Sequence, residues 1–465
     1  MKELNKRKLL CFTVCFNLFL SISSYSQSDT LMSYLEIAAQ NNPALKAKYN
    51  KYLASLQRVP QVGSLPDPDL SFGYFIQPME LVAGKQRAQL QLMQMFPWRG
   101  TLKAAKNEAT QMAKSDFETF RAERDELFFN VRKSYFQLFL TDRQLEVNDS
   151  TLTLLKSIEN LLLAKIKTGN SGTTVVSSIT SASMENIPKG NAMKDGQGNS
   201  QSSGTSMGGS PVMGASGSTL SDLLKLKVEM ASSENAIVSL KKRRATMIVQ
   251  LNLLLNRPTE TPVVVPEKLS LPDIDYQSIS LFDSIKQNNP MMNMSKADVA
   301  AYRNRQTMNR KMGYPMVGIG INYMVINKSS MSTSLMNGKD MVMLMLSVKL
   351  PIYRGKYSAA IREAQMLENA ANDNLSNTQN MLFMEFTDTK LAIDEAERDV
   401  RLAQQNAGLL RQSFAIQQVQ YATANSGFEE LLRTQQQLLD YRLNQLQFET
   451  DKRIAIAHLQ KLLSN

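Results

Sequence analysis

The chain has 465 residues, with 53 Lys and Arg against 42 Asp and Glu, one histidine and two cysteines. The net charge of +11 is spread thinly, without Lys/Arg runs interleaved with aromatics, so nucleic-acid binding finds no support. No H-E-x-x-H pattern and no glycine-rich phosphate loop is present, so neither an enzyme nor a bound cofactor is expected.

The N-terminus reads as a secretory signal over residues 1–26. Lys2, Lys6, Arg7 and Lys8 precede an apolar run from Leu9 to Ile22, and Ser24-Tyr25-Ser26 supplies small residues for cleavage. The run is shorter than the ~20 residues a transmembrane helix needs. Cys11 and Cys15 both fall inside it, so the mature chain is expected to lack thiol chemistry and to carry a net charge of +8.

After the signal the chain reads as two copies of one plan. Asn41-Asn42-Pro43 recurs as Asn288-Asn289-Pro290. Arg99-Gly100 recurs as Arg354-Gly355, and Asn170-Ser171-Gly172 as Asn425-Ser426-Gly427, both at an offset of 255. Asp222-Leu223-Leu224 then matches Glu430-Leu431-Leu432 at an offset of 208. The drop from 255 to 208 places one 47-residue insertion in the first copy, near 173–219.

The first repeat, 27–256, opens with short helices at about 30–41 and 43–58, followed by a turn-rich stretch from Pro60 to Pro68. Strands are predicted at about 70–77 and 87–96, around a turn from Pro78 to Gly84. Phe96-Pro97-Trp98-Arg99-Gly100 then launches a helix over 101–169, free of proline and of any glycine before its last residue. At 1.5 Å per residue it runs about 100 Å. The insert holds 11 Ser, 8 Gly, 4 Met and no aromatic, a composition that cannot bury a core and predicts disorder. A return helix at 220–256 and a proline-rich linker at 257–272 complete this copy.

The second repeat, 273–465, has strands at about 316–326 and 340–350, a long helix at 356–424 behind Leu350-Pro351-Ile352-Tyr353-Arg354-Gly355, and a return helix at 428–463. Leu382, Phe386, Thr389, Ile393, Ala396, Val400, Ala403, Ala407, Leu410 and Phe414 alternate steps of four and three, a heptad seam. The strands alternate by two: Val342, Leu344, Leu346 and Val348 share one face, and Met341, Met343, Met345, Ser347 and Lys349 the other. Their length suits an outer-membrane β-strand. Four strands cannot close a barrel, which needs about eight, and open edges do not survive in lipid. Several chains must therefore pool their strands.

Duplicated halves, strand–Pro–aromatic–Arg-Gly–helix junctions and a Gly/Ser tip followed by Asp/Glu-Leu-Leu together resemble the TolC family of outer-membrane efflux proteins, nearest its heavy-metal branch. The resemblance implies an α+β membrane protein: a homotrimer whose twelve strands, four per chain, form a β-barrel continuing into an α-helical coiled-coil barrel. It implies an outer-membrane location in a Gram-negative cell, with the helical barrel in the periplasm. It also implies a periplasmic adaptor and an inner-membrane pump of the resistance-nodulation-division class as partners. The adaptor would meet tips at Gly169, Asn170, Asn425, Ser426 and Gly427, and the insert lies at the first of them. A periplasmic adaptor and a structural or adhesive coiled-coil protein are the alternatives. The first would need a β-rich lipoyl-like core, and the second would not need membrane-length strands.

Three sets of residues are candidate sites. Asp222 and Glu430 follow the two tips and form either a cation-attracting collar at the periplasmic mouth or ordinary helix-start carboxylates. Arg433 stands where a further acidic residue is expected, one turn on. Met316, Met324, Met341, Met343 and Met345, with Met93 and Met95, face the lumen if the aliphatic faces meet lipid. They are either soft ligands for a passing cation such as Cu or Ag, or flexible apolar filler. Pro97, Arg99, Gly100, Pro351, Arg354 and Gly355 are the strand–helix junctions. Phe72, Tyr74, Phe96, Trp98, Tyr314, Tyr323 and Tyr353 suggest interface girdles, and His458 reads as a polar-faced coiled-coil residue.

Overall fold

The computed structural model describes residues 31–169, 216–266, 280–424 and 427–464. The predicted signal at 1–26, Asn170, Asn425, Ser426, most of the insert and part of the linker lie outside them. In chain order the elements are α1 (Leu31–Asn41), α2 (Pro43–Gly63), β1 (Asp69–Leu81), β2 (Gly84–Phe96), α3 (Thr101–Gly169), α4 (Ser216–Leu254), α5 (Ser280–Asn288), α6 (Pro290–Met312), β3 (Met316–Asn327), β4 (Met341–Lys349), α7 (Arg354–Ala424) and α8 (Phe428–Leu463). Among the described residues no helix is long and apolar enough to cross a membrane.

Several boundaries differ from the sequence reading. Helix α2 continues through Pro60 to Gly63 instead of ending near 58. Proline removes one donor there, but the last turn stays satisfied because Ser64 Oγ donates to the Pro60 carbonyl at 2.7 Å. Strand β1 runs through Pro78 to Leu81, so the predicted seven-residue turn shrinks to Val82 and Ala83. Pro78 is accommodated because β1 is an edge strand whose register slips between Tyr74 and Met79. Helix α4 begins at Ser216, taking in the end of the predicted insert, and stops at Leu254.

The chain divides into two compact units. The first comprises Met1–Leu140, Arg244–Arg401 and Gln447–Asn465. It holds the antiparallel sheet, in which β1, β2, β3 and β4 pair in sequence order. The β2–β3 pairing joins the strands of the two repeats. Its helical part buries two cores, one around Tyr34, Leu127, Tyr135, Leu251 and Leu255, the other around Ile285, Leu382, Ile393, Ile456 and Leu459.

The duplicated Asn-Pro motif does the same work in both. The Asn42 side-chain oxygen caps α2 by accepting from Ala44 and Leu45, while its Nδ2 donates to the Leu254 carbonyl at 3.1 Å. Asn289 accepts from Met291 and donates to the Leu462 carbonyl at 3.0 Å. Leu254 and Leu462 are themselves repeat counterparts, so one side chain closes the start of a short helix onto the end of a return helix twice over.

The second unit comprises Thr141–Arg243 and Leu402–Leu446. Leu155, Ile158 and Leu162 of α3 pack there with Leu226 of α4, Phe414 and Tyr421 of α7, and Phe428 and Leu431 of α8. Along α7 every position of the predicted heptad seam is buried or half-buried, from Leu382 to Phe414. Apolar periodicity therefore selects the inner face of this 71-residue helix.

The two Arg-Gly junctions differ. Arg99 and Gly100 lie in a turn before α3, where Thr101 N bonds the Trp98 carbonyl and Gly100 has φ +85° with Lys311 Nζ against it. Arg354 and Gly355 already belong to the first turn of α7, and Gly355 has open space around it. Gly100→Ala is therefore expected to cost about 1–2 kcal/mol, whereas Gly355→Ala adds about 0.5–1 kcal/mol, in thermal unfolding of the detergent-solubilised chain. In the same assay Asn289→Ala, at 4% exposure, is expected to lose about 1–3 kcal/mol and the half-buried Asn42→Ala less.

Candidate functional site: the strand wall and the helix tips

The sheet has two chemically distinct faces. Leu70, Phe72, Tyr74, Leu90, Leu92, Val317, Ile319, Ile321, Tyr323, Val342, Leu344, Leu346 and Val348 are all exposed large apolar residues. Cross-strand register places them on one face, with Leu92 opposite Ile321 and Ile321 opposite Leu344. The other face carries Gln89, Gln91, Met93 and Met95 of β2, then Met316, Gly318, Gly320, Asn322 and Met324 of β3, then Met341, Met343, Met345, Ser347 and Lys349 of β4. The predicted lumen methionines thus share one face. Among the described residues the outer edges of β1 and β4 have no strand partner.

Aromatics mark the ends of this wall. Trp98 stacks on Tyr314 with centroids 5.1 Å apart, tying the first junction to the approach to β3. Pro97 ends β2 before that turn, and Pro351 follows β4 in an irregular stretch where Arg354 N bonds the Ile352 carbonyl.

At the tips of the second unit, Lys225 Nζ of α4 contacts Glu429 Oε2 of α8 at 2.9 Å. Neither residue was singled out in the sequence. The signal was present in the repeat, because Lys225 aligns with Arg433 at the 208 offset, giving an acid followed three residues later by a cation in both copies. Cross-helix pairing, however, depends on helix rotation, which repeat alignment does not supply. Glu430, the predicted mouth residue, is exposed in the first turn of α8 beside Glu429. Gly427 precedes that turn, its carbonyl accepting from Leu431 N at 2.9 Å, and Gly169 is the last residue of α3.

Asp222 is half-buried, and burial pushes its carboxyl above the usual carboxylate range, with Glu429 adding to the rise and Lys225 opposing it. Tyr421 is pushed up to about 12 by burial and by the charge of Asp222. His458 sits in the first unit, its Nδ1 2.7 Å from Thr389 Oγ1 and its Nε2 2.9 Å from Glu385, with its ring 5.1 Å from that of Phe129. These partners hold it structurally, beside an open cavity of about 620 Å³. Among the described residues no group of three or more His, Cys, Asp or Glu is placed to hold a metal.

This sheet with one aliphatic face, set between long helices, defines the class as the fold of outer-membrane efflux channels. Outer membrane protein VceC from Vibrio cholerae has a TM-score of 0.69 at 13% identity, over 94% of this chain and 96% of that one. The Neisseria gonorrhoeae MtrE outer membrane channel, in its open state, scores 0.67 at 12% identity over 94% and 89%. CusC, whose structures concern folding and transmembrane channel formation, scores 0.67 at 15% identity over 95% of both chains. Residues 281–465 match the family described as Outer membrane efflux protein, and the likeness to TolC-family channels read from the sequence extends to these solved structures. No curated protein matches the chain.

Because the folded state raises the Asp222 pKa, its ionised form costs stability above that pKa, and the cost disappears as the carboxyl protonates. Asp222→Asn is therefore expected to raise the unfolding temperature at pH 7. The gain should shrink towards zero as the pH falls to about 4, read from melting curves across that range.

Proposed function

We propose that this chain is the outer-membrane channel of a tripartite efflux system. Three copies pool their strands into a twelve-stranded barrel that continues into a periplasmic helical tube. The conduit is passive and performs no chemistry. A periplasmic adaptor engages the tips around Gly169 and Asn425–Gly427, and an inner-membrane pump of the resistance-nodulation-division class supplies the energy. Asp222 and Glu430 line the periplasmic mouth, where three copies of each attract cations. The cargo is a heavy-metal cation such as Cu or Ag.

The observation that carries this reading is the four-stranded sheet, with a continuous exposed aliphatic face and two unpartnered edges. In water such a surface drives aggregation, and in lipid it is the required exterior. Burying every strand edge needs further copies, and the methionine, glutamine and asparagine residues then point inward. A periplasmic adaptor or an adhesive coiled coil has no use for a membrane-height aliphatic sheet.

Membrane fractionation, a heat-modifiable trimer on a gel and single-channel currents in planar bilayers test the reading; a water-soluble monomer refutes it. The two faces also differ in their tolerance of charge. Leu344→Arg, at a position 79% exposed on the aliphatic face, is expected to cost about 2–4 kcal/mol and abolish insertion. Met343→Arg, next to it on the opposite face, is expected to leave insertion intact and change ion selectivity.

A further inference from the structure

We propose that Met93, Met95 and Met345, gathered over Gly318 and Gly320 beside Asn322, form a thioether site for a soft monovalent cation, Cu(I) or Ag(I). This inference rests on the channel reading, which makes the face a lumen wall, and narrows its metal cargo to particular residues. Gly318 is opposite Met95 in the register, and Gly320 lies between Met93 on one side and Met345 on the other.

The glycines are where the sulfurs need room. A Cβ at Gly318 would collide with the Met95 Sδ and lie 3.2 Å from that of Met93. One at Gly320 would lie 2.8 Å from the Leu92 carbonyl oxygen, 2.9 Å from Met93 Cε and 3.1 Å from Met93 Sδ. Two β2 thioethers therefore lean across β3 towards β4. There Met345 is the one methionine of the strand that is half-buried, whereas Met341 and Met343 stand exposed. The same face holds Asn322, 5% exposed, whose Oδ1 is buried with no hydrogen-bond partner among the described residues.

Apolar filler accounts for missing β-carbons and for side chains turned into the space they leave, but not for the buried, unpaired Asn322 carbonyl at its rim. A neutral thioether set suits a large, polarisable cation with a weakly held hydration shell and offers little to hard ions such as Mg²⁺ or Ca²⁺. The thioethers themselves carry no charge and hold such an ion loosely, as conduction requires, while Asp69, opposite Met93 in the register, adds a carboxylate at the edge of the set.

The test titrates the detergent-solubilised full chain with silver nitrate in chloride-free buffer by calorimetry, beside the volume-conserving variant Met93→Leu/Met95→Leu/Met345→Leu and beside Gly318→Ala. Wild type is expected to show saturable sites that the triple variant lacks. Gly318→Ala, which keeps every sulfur but displaces that of Met95, is expected to bind at least about tenfold more weakly. Methionines elsewhere, including those of the insert, contribute equally to all three isotherms. Identical isotherms for wild type and both variants overturn the proposal and leave methionine as filler. Planar-bilayer currents in metal-free potassium nitrate separate the two readings. Normal current with no silver difference defeats the metal site alone, and absent current in wild type defeats the channel.

Discussion

The backbone amides at the two free edges of the sheet govern everything else in this molecule. In an apolar medium an unpaired N–H or C=O costs several kcal/mol, so no sheet can end there. β1 and β4 each end the sheet with a row of such groups, while the side chains on the aliphatic face forbid burial in water. The chain satisfies neither requirement by itself. Closure by further copies satisfies both at once, because the last strand of one chain supplies the donors that the first strand of the next lacks. The β2–β3 pairing matters for the same reason, since it makes the two repeats one uninterrupted wall segment.

Duplication sets the plan, and departures from it mark where the two halves do different work. Asn42 and Asn289 make the same pair of bonds, cap and tie, at matching places. The Arg-Gly junctions share letters but not backbone: Gly100 turns with positive φ against Lys311, and Gly355 continues a helix. The strands diverge further. On the face opposite the aliphatic one, β2 holds glutamine and methionine while the middle of β3 holds Gly318, Gly320 and Asn322, so the larger side chains of one strand occupy the space left by the smaller ones of its neighbour.

Much of this was legible from spacing alone. Residues 101–169 lack breakers, and α3 occupies those residues. The seam from Leu382 to Phe414 is buried or half-buried at every step because a helix has one inner face, where apolar residues gain most and the polar Thr389 is kept by its bond to His458. Prolines misled at 60 and 78, since each lost hydrogen bond is cheap in its setting: one at a helix end backed by Ser64, one at a strand edge with a bulge. At the tips, sequence singled out Glu430, while the cross-helix pair is made by its neighbour Glu429 with Lys225. One residue is about 100° of helix rotation, and nothing in a repeat alignment measures rotation.

The two faces of the sheet also show why composition alone is a poor guide to cargo. Methionine on the aliphatic side would differ little from leucine in transfer energy, so its confinement to the opposite face is not explained by hydrophobicity. Glycine at the buried positions 318 and 320 deepens the point, because a strand ordinarily favours a β-branched residue and glycine there costs backbone entropy. The wall accepts that cost where Met93 and Met95 cross it, and nowhere else along β3. Lying over bare backbone, the thioethers gain packing contact and, on the proposed metal reading, keep their lone pairs available. On the proposed reading, a wall of glutamine, asparagine and neutral sulfur lets a soft cation exchange one weak ligand for the next, with the Asp69 carboxylate opposite Met93 at its edge.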